Sequence, residues 1–154
     1  MSTTFKIATK ANTEILIQFI REYYEFDCHP FNEATIRTAL VNLLHNDSLG
    51  RVWLIYHDGN AIGYIIMTFS YSLESQGRDA LIDEFYIQAG YRRQGIGKHT
   101  IQFVESVCSE LQINLLYLEV ERKNITAQSF YRQMGFEDHD RYLMTKWLAK
   151  KTVK

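Results

Sequence analysis

The chain has 154 residues, 46% of them hydrophobic and 14% aromatic, with a formal net charge of −1. That length and apolar content suit one globular domain spanning 1–154 with an adequate core, and exclude a disordered chain. A charge so near zero carries no global field toward nucleic acid, and no stretch reaches the roughly 20 apolar residues that span a bilayer.

The elements follow from periodicity and punctuation. Phe5 to Thr9 alternates as a strand does. Asn12 or Thr13 can cap a helix with Ile15, Leu16, Phe19, Ile20 and Tyr23 on one face. The lone proline, Pro30, marks a loop, and Asn32 caps a second helix with Ile36, Leu40, Leu43 and Leu44 inward. Arg51 to His57 reads as a strand, Asp58-Gly59-Asn60 as a hairpin turn, and Ala61 to Tyr71 as the returning strand. A polar turn from Glu74 to Asp79 leads to a strand from Ala80 to Ile87. After Gly97 a helix carries Ile101, Val104, Cys108 and Leu111 inward. Leu115 to Val120 is expected as a strand, Asn124 to Met134 as a helix closed by Gly135, and Arg141 to Trp147 as a final strand before a solvated tail, Lys150 to Lys154. Two helices after one strand, then three consecutive strands, imply an α/β chain with a mixed sheet and helices on both faces.

The most informative stretch is Tyr91-Arg92-Arg93-Gln94-Gly95-Ile96-Gly97-Lys98, between a strand and a helix. Glycines there let the backbone turn sharply and approach a ligand. The unpaired N–H groups of the first helical turn point outward, and the helix dipole favours an anion at that end. Arg92, Arg93 and Lys98 add positive charge, so the loop suits a pyrophosphate. It is not a Walker loop, because His99 follows Gly97-Lys98 and no glycine stands five residues before Gly97. Nor is it a dinucleotide fingerprint, because Thr100 occupies the third glycine position.

Arg92-x-x-Gly95-x-Gly97 resembles the Gln/Arg-x-x-Gly-x-Gly/Ala loop of the GNAT superfamily of acetyl-CoA-dependent N-acetyltransferases. A second segment, Asn124-x-x-Ala127-x-x-Phe130-Tyr131-x-x-x-Gly135-Phe136, resembles another signature of the same superfamily. Asn124 stands at a helix mouth, and Ala127 and Tyr131 share one helical face. The order of elements is similar to that fold along nearly the whole chain.

The resemblance implies a central, partly splayed sheet and direct acetyl transfer from acetyl-CoA to a primary amine. It implies that residues Arg92 to Lys98, with Gln94 and Ile96 among them, hold the pyrophosphate, and that the backbone at Phe85, Tyr86 and Ile87 holds the pantetheine arm, with Asn124 and Ala127 nearby. Only about one lysine-like amine in 2,500 is neutral at pH 7, so a base is needed. Asp83, Glu84 and Glu119 each match an acidic position in some relatives, and strand parity alone does not choose among them because a bulge can reverse it. Tyr131 resembles the tyrosine that acts as acid toward the departing thiolate.

The acceptor wall is expected between the first two helices, where Tyr23, Tyr24, Phe26 and Asp27 interleave aromatic and acidic groups, with Tyr71, Glu74 and Asp79 at the same mouth. Such a wall suits a small cationic amine of polyamine type. A protein N-terminus or lysine as acceptor stays open, as does a non-catalytic acyl-CoA sensor. The five histidines show no metal-ligand spacing, no Gly-x-Ser-x-Gly elbow is present, and His29 is read as a loop contact. The segment Met1 to Lys6 lacks the apolar core of a secretory signal, and two cysteines, Cys28 and Cys108, make no disulfide framework, so a cytoplasmic enzyme is expected. A homodimer sharing its last strands or a sheet edge follows from the family resemblance.

Overall fold

The computed structural model describes residues 2–149, which leaves the expected tail from Lys150 to Lys154 outside the described residues. Five strands form one sheet in the order β1-β2-β3-β4-β5: β1 Thr3–Ile7, β2 Gly50–His57, β3 Asn60–Ser72, β4 Gly77–Ile87 and β5 Leu115–Leu118. The first four pair antiparallel and β5 joins β4 in parallel, so the sheet is mixed. Four α-helices accompany it: α1 Thr13–Phe26, α2 Glu33–His45, α3 Ile96–Glu110 and α4 Ile125–Gln133. Asn32 caps α2 by accepting from the N–H of Thr35, and Asn124 caps α4 by accepting from the N–H of Ala127.

Strand alternation sorts the core into two layers. Val52 and Leu54 on β2 and Tyr64 and Ile66 on β3 pack against Leu16, Ile17, Phe19, Ile20 and Leu40 of α1 and α2. Their alternate neighbours Trp53, Ile65 and Met67 pack against Ile101, Val104 and Cys108 of α3. Helices therefore cover both faces, as the sequence predicts. Cys108 is buried, with its thiol 3.8 Å from the Met67 sulfur.

The break in this alternation builds the site. Along β3 and β4 the register runs from Met67↔Ile82 to Ile66↔Glu84, so Asp83 is an extra residue with no opposite number. Before this bulge the even-numbered side chains Ala80 and Ile82 face α3. After it, Glu84 and Tyr86 face α1. The parallel ladder to β5 ends at Ile82↔Leu118, one residue short of the bulge. Beyond that point β4 and β5 part, and the edge of β4 from Asp83 to Ile87 has no strand beside it among the described residues.

Three expectations are corrected. β5 stops at Leu118 instead of Val120, because the splay removes its partner. Asp79 lies inside β4, 5% exposed, rather than in a polar turn; it accepts hydrogen bonds from Ser70 and Ser75. Residues Arg141 to Trp147 form no strand. Their β-prone side chains carry the local signal, but a strand also needs a neighbouring backbone, and Tyr142, Leu143, Met144 and Leu148 stand exposed with none alongside.

Tight strand spacing fixes one glycine. A Cβ on Gly63 would lie 2.0 Å from the carbonyl oxygen of Tyr86. Gly63→Ala is expected to destabilise the protein by about 3 kcal/mol, the upper range for overpacking, read as a lowered urea midpoint with unchanged slope.

Candidate functional site

After β4 the chain makes a short 3-10 turn, Ala89–Tyr91, and then a loop with alternating backbone hand: Arg93 has φ +62° and Gly95 has φ +81°. Gly95 caps α3 in the left-handed conformation that glycine adopts without strain. The first capping bond inside α3 runs from the His99 N–H to the Gly95 carbonyl. Among the described residues, the N–H groups of 93–98 meet no carbonyl of the chain. These groups, with the dipole of a 15-residue helix behind them, form an anion cradle.

The cradle opens on a cleft of about 760 Å³ between the end of β4, the start of α3 and one side of α4. Phe85 and Ile87 line it from β4, and Arg92, Arg93, Gly95, Gly97 and Lys98 from the loop and α3. Gly97 is closely packed: a Cβ there would sit 3.1 Å from the Phe130 ring of α4. The cleft suits an elongated, phosphate-ended ligand, with free amides at one end and an unpaired strand edge along its length.

Several predicted ligands hold their side chains away from this cleft, which bears on the side chains and not on the backbone groups of the same residues. The Ile96 side chain is 1% exposed and belongs to the core with Ile55 and Ile62. Tyr86 turns to the α1 face, where its hydroxyl donates to Glu22 at 2.9 Å. Gln94 donates to the Gly90 carbonyl at 3.2 Å, and the Asn124 side chain is engaged in capping. Ala127 is half-buried one turn into α4. Sequence reasoning missed Tyr91 and the cleft-facing side of α4, namely Ile125, Thr126, Ser129 and Gln133. The spacing Ile125, Ser129, Gln133, with an exposed isoleucine in the first turn, was the available signal.

On the opposite side of the parting strands lies a cluster of phenols and carboxylates. Glu84 accepts from Tyr24 of α1 at 2.5 Å on one oxygen and from Tyr64 of β3 at 2.8 Å on the other. Burial nonetheless raises its pKa, because desolvation of the charged form outweighs the two phenol bonds. Asp83 has its pKa raised by desolvation alone, and no hydrogen bond from the described residues engages it. Asp27 pairs with His29 at 2.9 Å. Tyr23 sits among these groups, its ring 5.8 Å from Tyr24 and 5.9 Å from Tyr86. Burial raises the pKa of Tyr23 most, and the charges of Asp27, Glu84, Tyr131 and Asp83 add to it.

Tyr131, on α4, packs against Phe130 and Phe136. Burial pushes its phenol up to about 12, and no hydrogen bond from the described residues holds the hydroxyl. Glu119 is exposed just past the end of β5. Tyr71 is not brought to the cluster: it pairs with Arg78, five residues before Asp83, roughly 17 Å along the strand, and is 73% exposed. Glu74 is held by Arg141 through two 2.9 Å bonds.

The match with known proteins agrees with this geometry. The chain belongs to the Acetyltransferase (GNAT) family, whose model matches residues 14–136; acetyl-CoA is the acyl donor of that family. It is 34% identical over 77 residues to a thialysine N-epsilon-acetyltransferase of Bos taurus, covering 50% of this chain and 45% of that one. It is 24% identical over 86 residues to a spermine/spermidine N(1)-acetyltransferase of Bacillus subtilis, covering 54% and 57%. The matched stretches thus span about half the length of these curated relatives. Among solved structures, an integron cassette protein from a salt-marsh metagenome superposes with a TM-score of 0.84 at 26% identity, covering 96% of this chain and 91% of that one. No helix among the described residues is long and apolar enough to cross a membrane.

The Glu84 cluster makes a pH-dependent prediction. A carboxyl whose folded pKa lies above its unfolded value costs nothing while protonated in both states, and its stability penalty grows as pH rises through the folded pKa. Tyr24→Phe removes a donor to the ionised form and raises that pKa further. The variant is expected to be near wild type at pH 4 and destabilised by about 2 kcal/mol at pH 7.5, read by urea unfolding at both values.

Proposed function

We propose that the protein transfers the acetyl group of acetyl-CoA to the primary amine of a small cationic acceptor, a polyamine or a related amine. The observation that carries this reading is the pairing of Tyr24 and Tyr64 with Glu84, next to Asp83 in the chain, with Tyr23 packed edge-on to both phenols and Asp27 directly after α1. A pocket of carboxylates and aromatic faces suits an ammonium group. The named activities of the thialysine and spermine/spermidine relatives agree with an amine of that size.

Acetyl-CoA when bound supplies an activated thioester. The free amides of 93–98, with Arg93 and Lys98, hold its diphosphate, and the unpaired edge of β4 from Asp83 to Ile87 offers backbone groups to its extended arm. Asp83 is our choice of base. Glu84 has both oxygens occupied by phenols and serves to fix α1 against the sheet, whereas Asp83 stands at the bulge with no hydrogen-bond partner among the described residues and a raised pKa. Tyr131 donates a hydrogen bond toward the leaving sulfur. Free thiols at Cys28 and Cys108 fit a reducing compartment such as the cytoplasm.

The test is acetyl-CoA-dependent thiol release across polyamines, aminoglycosides, aromatic amines, amino acids and short peptides. Turnover with polyamines supports the reading. Acetyl-CoA binding with silence across the panel overturns it in favour of a protein acceptor or a sensor. Asp83→Asn is expected to lower kcat/KM by about 10²-fold at pH 7, the scale for losing a general base, and to recover toward pH 10 as the free amine becomes abundant. Tyr131→Phe is expected to lower kcat by about 10²-fold; a loss under about threefold removes the phenol from the chemistry.

A homodimer is part of the same proposal. The outer edge of β5 has no strand beside it among the described residues, while Tyr142, Leu143, Met144 and Leu148 lie exposed on an extended segment of β-prone sequence. An unpaired edge and an unpaired strand-former in one chain complement each other across two copies. Sedimentation should give twice the chain mass of 18.1 kDa, and Leu143→Glu should return it to one.

A further inference from the structure

Arg92 does not behave as a simple phosphate ligand. Its Nε donates to the Ile87 carbonyl at 2.7 Å. Its guanidinium carbon lies 4.5 Å over the ring of Phe26 and 5.6 Å from that of Tyr86. No carboxylate pairs with it among the described residues. Phe26 is the last residue of α1, 63% exposed, and contributes little to the core. Tyr86 in turn donates to Glu22 of α1, which also accepts from Gln88. One side chain therefore joins three things: the end of β4, the last turn of the acceptor-side helix, and the first residue of the anion loop.

We propose that Arg92 is a positioning residue, latched onto Phe26 of α1, that holds the N–H groups of 93–98 in their ligand-ready order and couples the acceptor wall to acetyl-CoA binding. The inference rests on the reading of the loop as the acyl-donor site. Arg93 follows at φ +62°, a conformation a non-glycine residue keeps only when its surroundings impose it. The bond from Arg92 to the Ile87 carbonyl fixes the chain immediately before that residue. Lysine cannot reproduce this, because it has no planar fork to bond a carbonyl while lying flat on two rings. A latch of this kind makes the two substrate sites sense each other: an acceptor that orders the end of α1 also orders the loop, and the coupling is reciprocal.

The position of Phe26 gives the test its discrimination, since the proposed role reaches acetyl-CoA only through Arg92. Isothermal titration with acetyl-CoA is expected to show Phe26→Ala weakening binding by about two- to fivefold, the scale of one cation–π contact, while Phe26→Trp restores it. Arg92→Lys and Arg92→Met should weaken binding equally, by about tenfold, the scale of a lost charge-assisted hydrogen bond. The double variant Phe26→Ala/Arg92→Met should be no weaker than Arg92→Met alone. Hydrogen exchange on the protein without ligand should show the amides of 93–98 exchanging faster in Phe26→Ala, with the core amides of β2 and β3 unchanged. Wild-type affinity in Arg92→Lys alongside a loss in Arg92→Met would mean that Arg92 acts by charge, and would overturn the latch. Unchanged loop exchange in Phe26→Ala would overturn it as well, and this readout needs no ligand, so it stands apart from the acyl-donor reading.

Discussion

The site depends on one irregularity: the extra residue at Asp83, placed one step beyond the last paired residue of β4 and β5. A regular strand would send Phe85 and Glu84 to the opposite faces from those they occupy. It would put a carboxylate into the apolar cleft and a phenylalanine among the phenols. The bulge prevents both. It also ends the parallel ladder, which leaves the β4 edge from Asp83 to Phe85 without a strand beside it among the described residues, while the Ile87 carbonyl accepts from Arg92. Unpaired strand groups are a hazard at most sheet edges; here they face a cleft that already ends in an anion cradle, and the same defect that weakens the sheet has the shape an extended ligand needs.

The cost of that opening is borne by tertiary contacts. α1 is tied to β4 after the bulge by Tyr24 and Tyr64 on Glu84, by Tyr86 on Glu22, and by Phe26 on Arg92. Each tie joins a polar group on β4 or its loop to a residue of α1 or the neighbouring strand. Burying Glu84 is unfavourable for its charged form, and the two phenols reduce that penalty rather than remove it. α4 closes the other side with fewer constraints: it has no buried residue of its own and meets α3 through the close approach of Phe130 to Gly97.

Much of this was legible in the sequence because the signals are local. Gly95 and Gly97 at a helix mouth, the caps Asn32 and Asn124, and the 3.6-residue stripes of α1 and α3 each speak through neighbours a few positions away. What was not legible is non-local. Whether Asp83 or Glu84 faces a given side depends on a register defect that involves Ile66 and Met67 across the sheet. That Arg92 leans on Phe26 could not be seen from 66 positions apart. Tyr71 looked like part of the acceptor mouth by composition, yet strand length carries it away. The segment from Arg141 to Trp147 has the composition of a strand, yet it joins no sheet among the described residues, which no single-chain pattern foretells.

Binding and reaction make opposed demands on this acidic pocket. Carboxylates around Tyr23 attract an ammonium, but they also stabilise its protonated form, and each unit by which they raise its pKa adds about 1.4 kcal/mol to the cost of the neutral amine. An ammonium near 10.4 already lies far above any carboxylate. The arrangement lessens the conflict by dividing labour. Glu84 has its charge dispersed over two phenol donors, and Asp27 is paired with His29, so neither presents a bare charge to the acceptor. Asp83 makes no hydrogen bond among the described residues, and although the residue is exposed at the bulge, partial desolvation raises its pKa and makes it a better proton acceptor than a fully solvated aspartate. The same reasoning constrains Tyr131. With its phenol at about 12 and a thiol near 8.5, full proton donation before bond cleavage runs uphill by about 5 kcal/mol. On the proposed mechanism, Tyr131 is therefore suited to hydrogen-bond the sulfur as negative charge grows there, and the proton released at nitrogen, if Asp83 passes it to solvent, is the one that finally neutralises the thiolate.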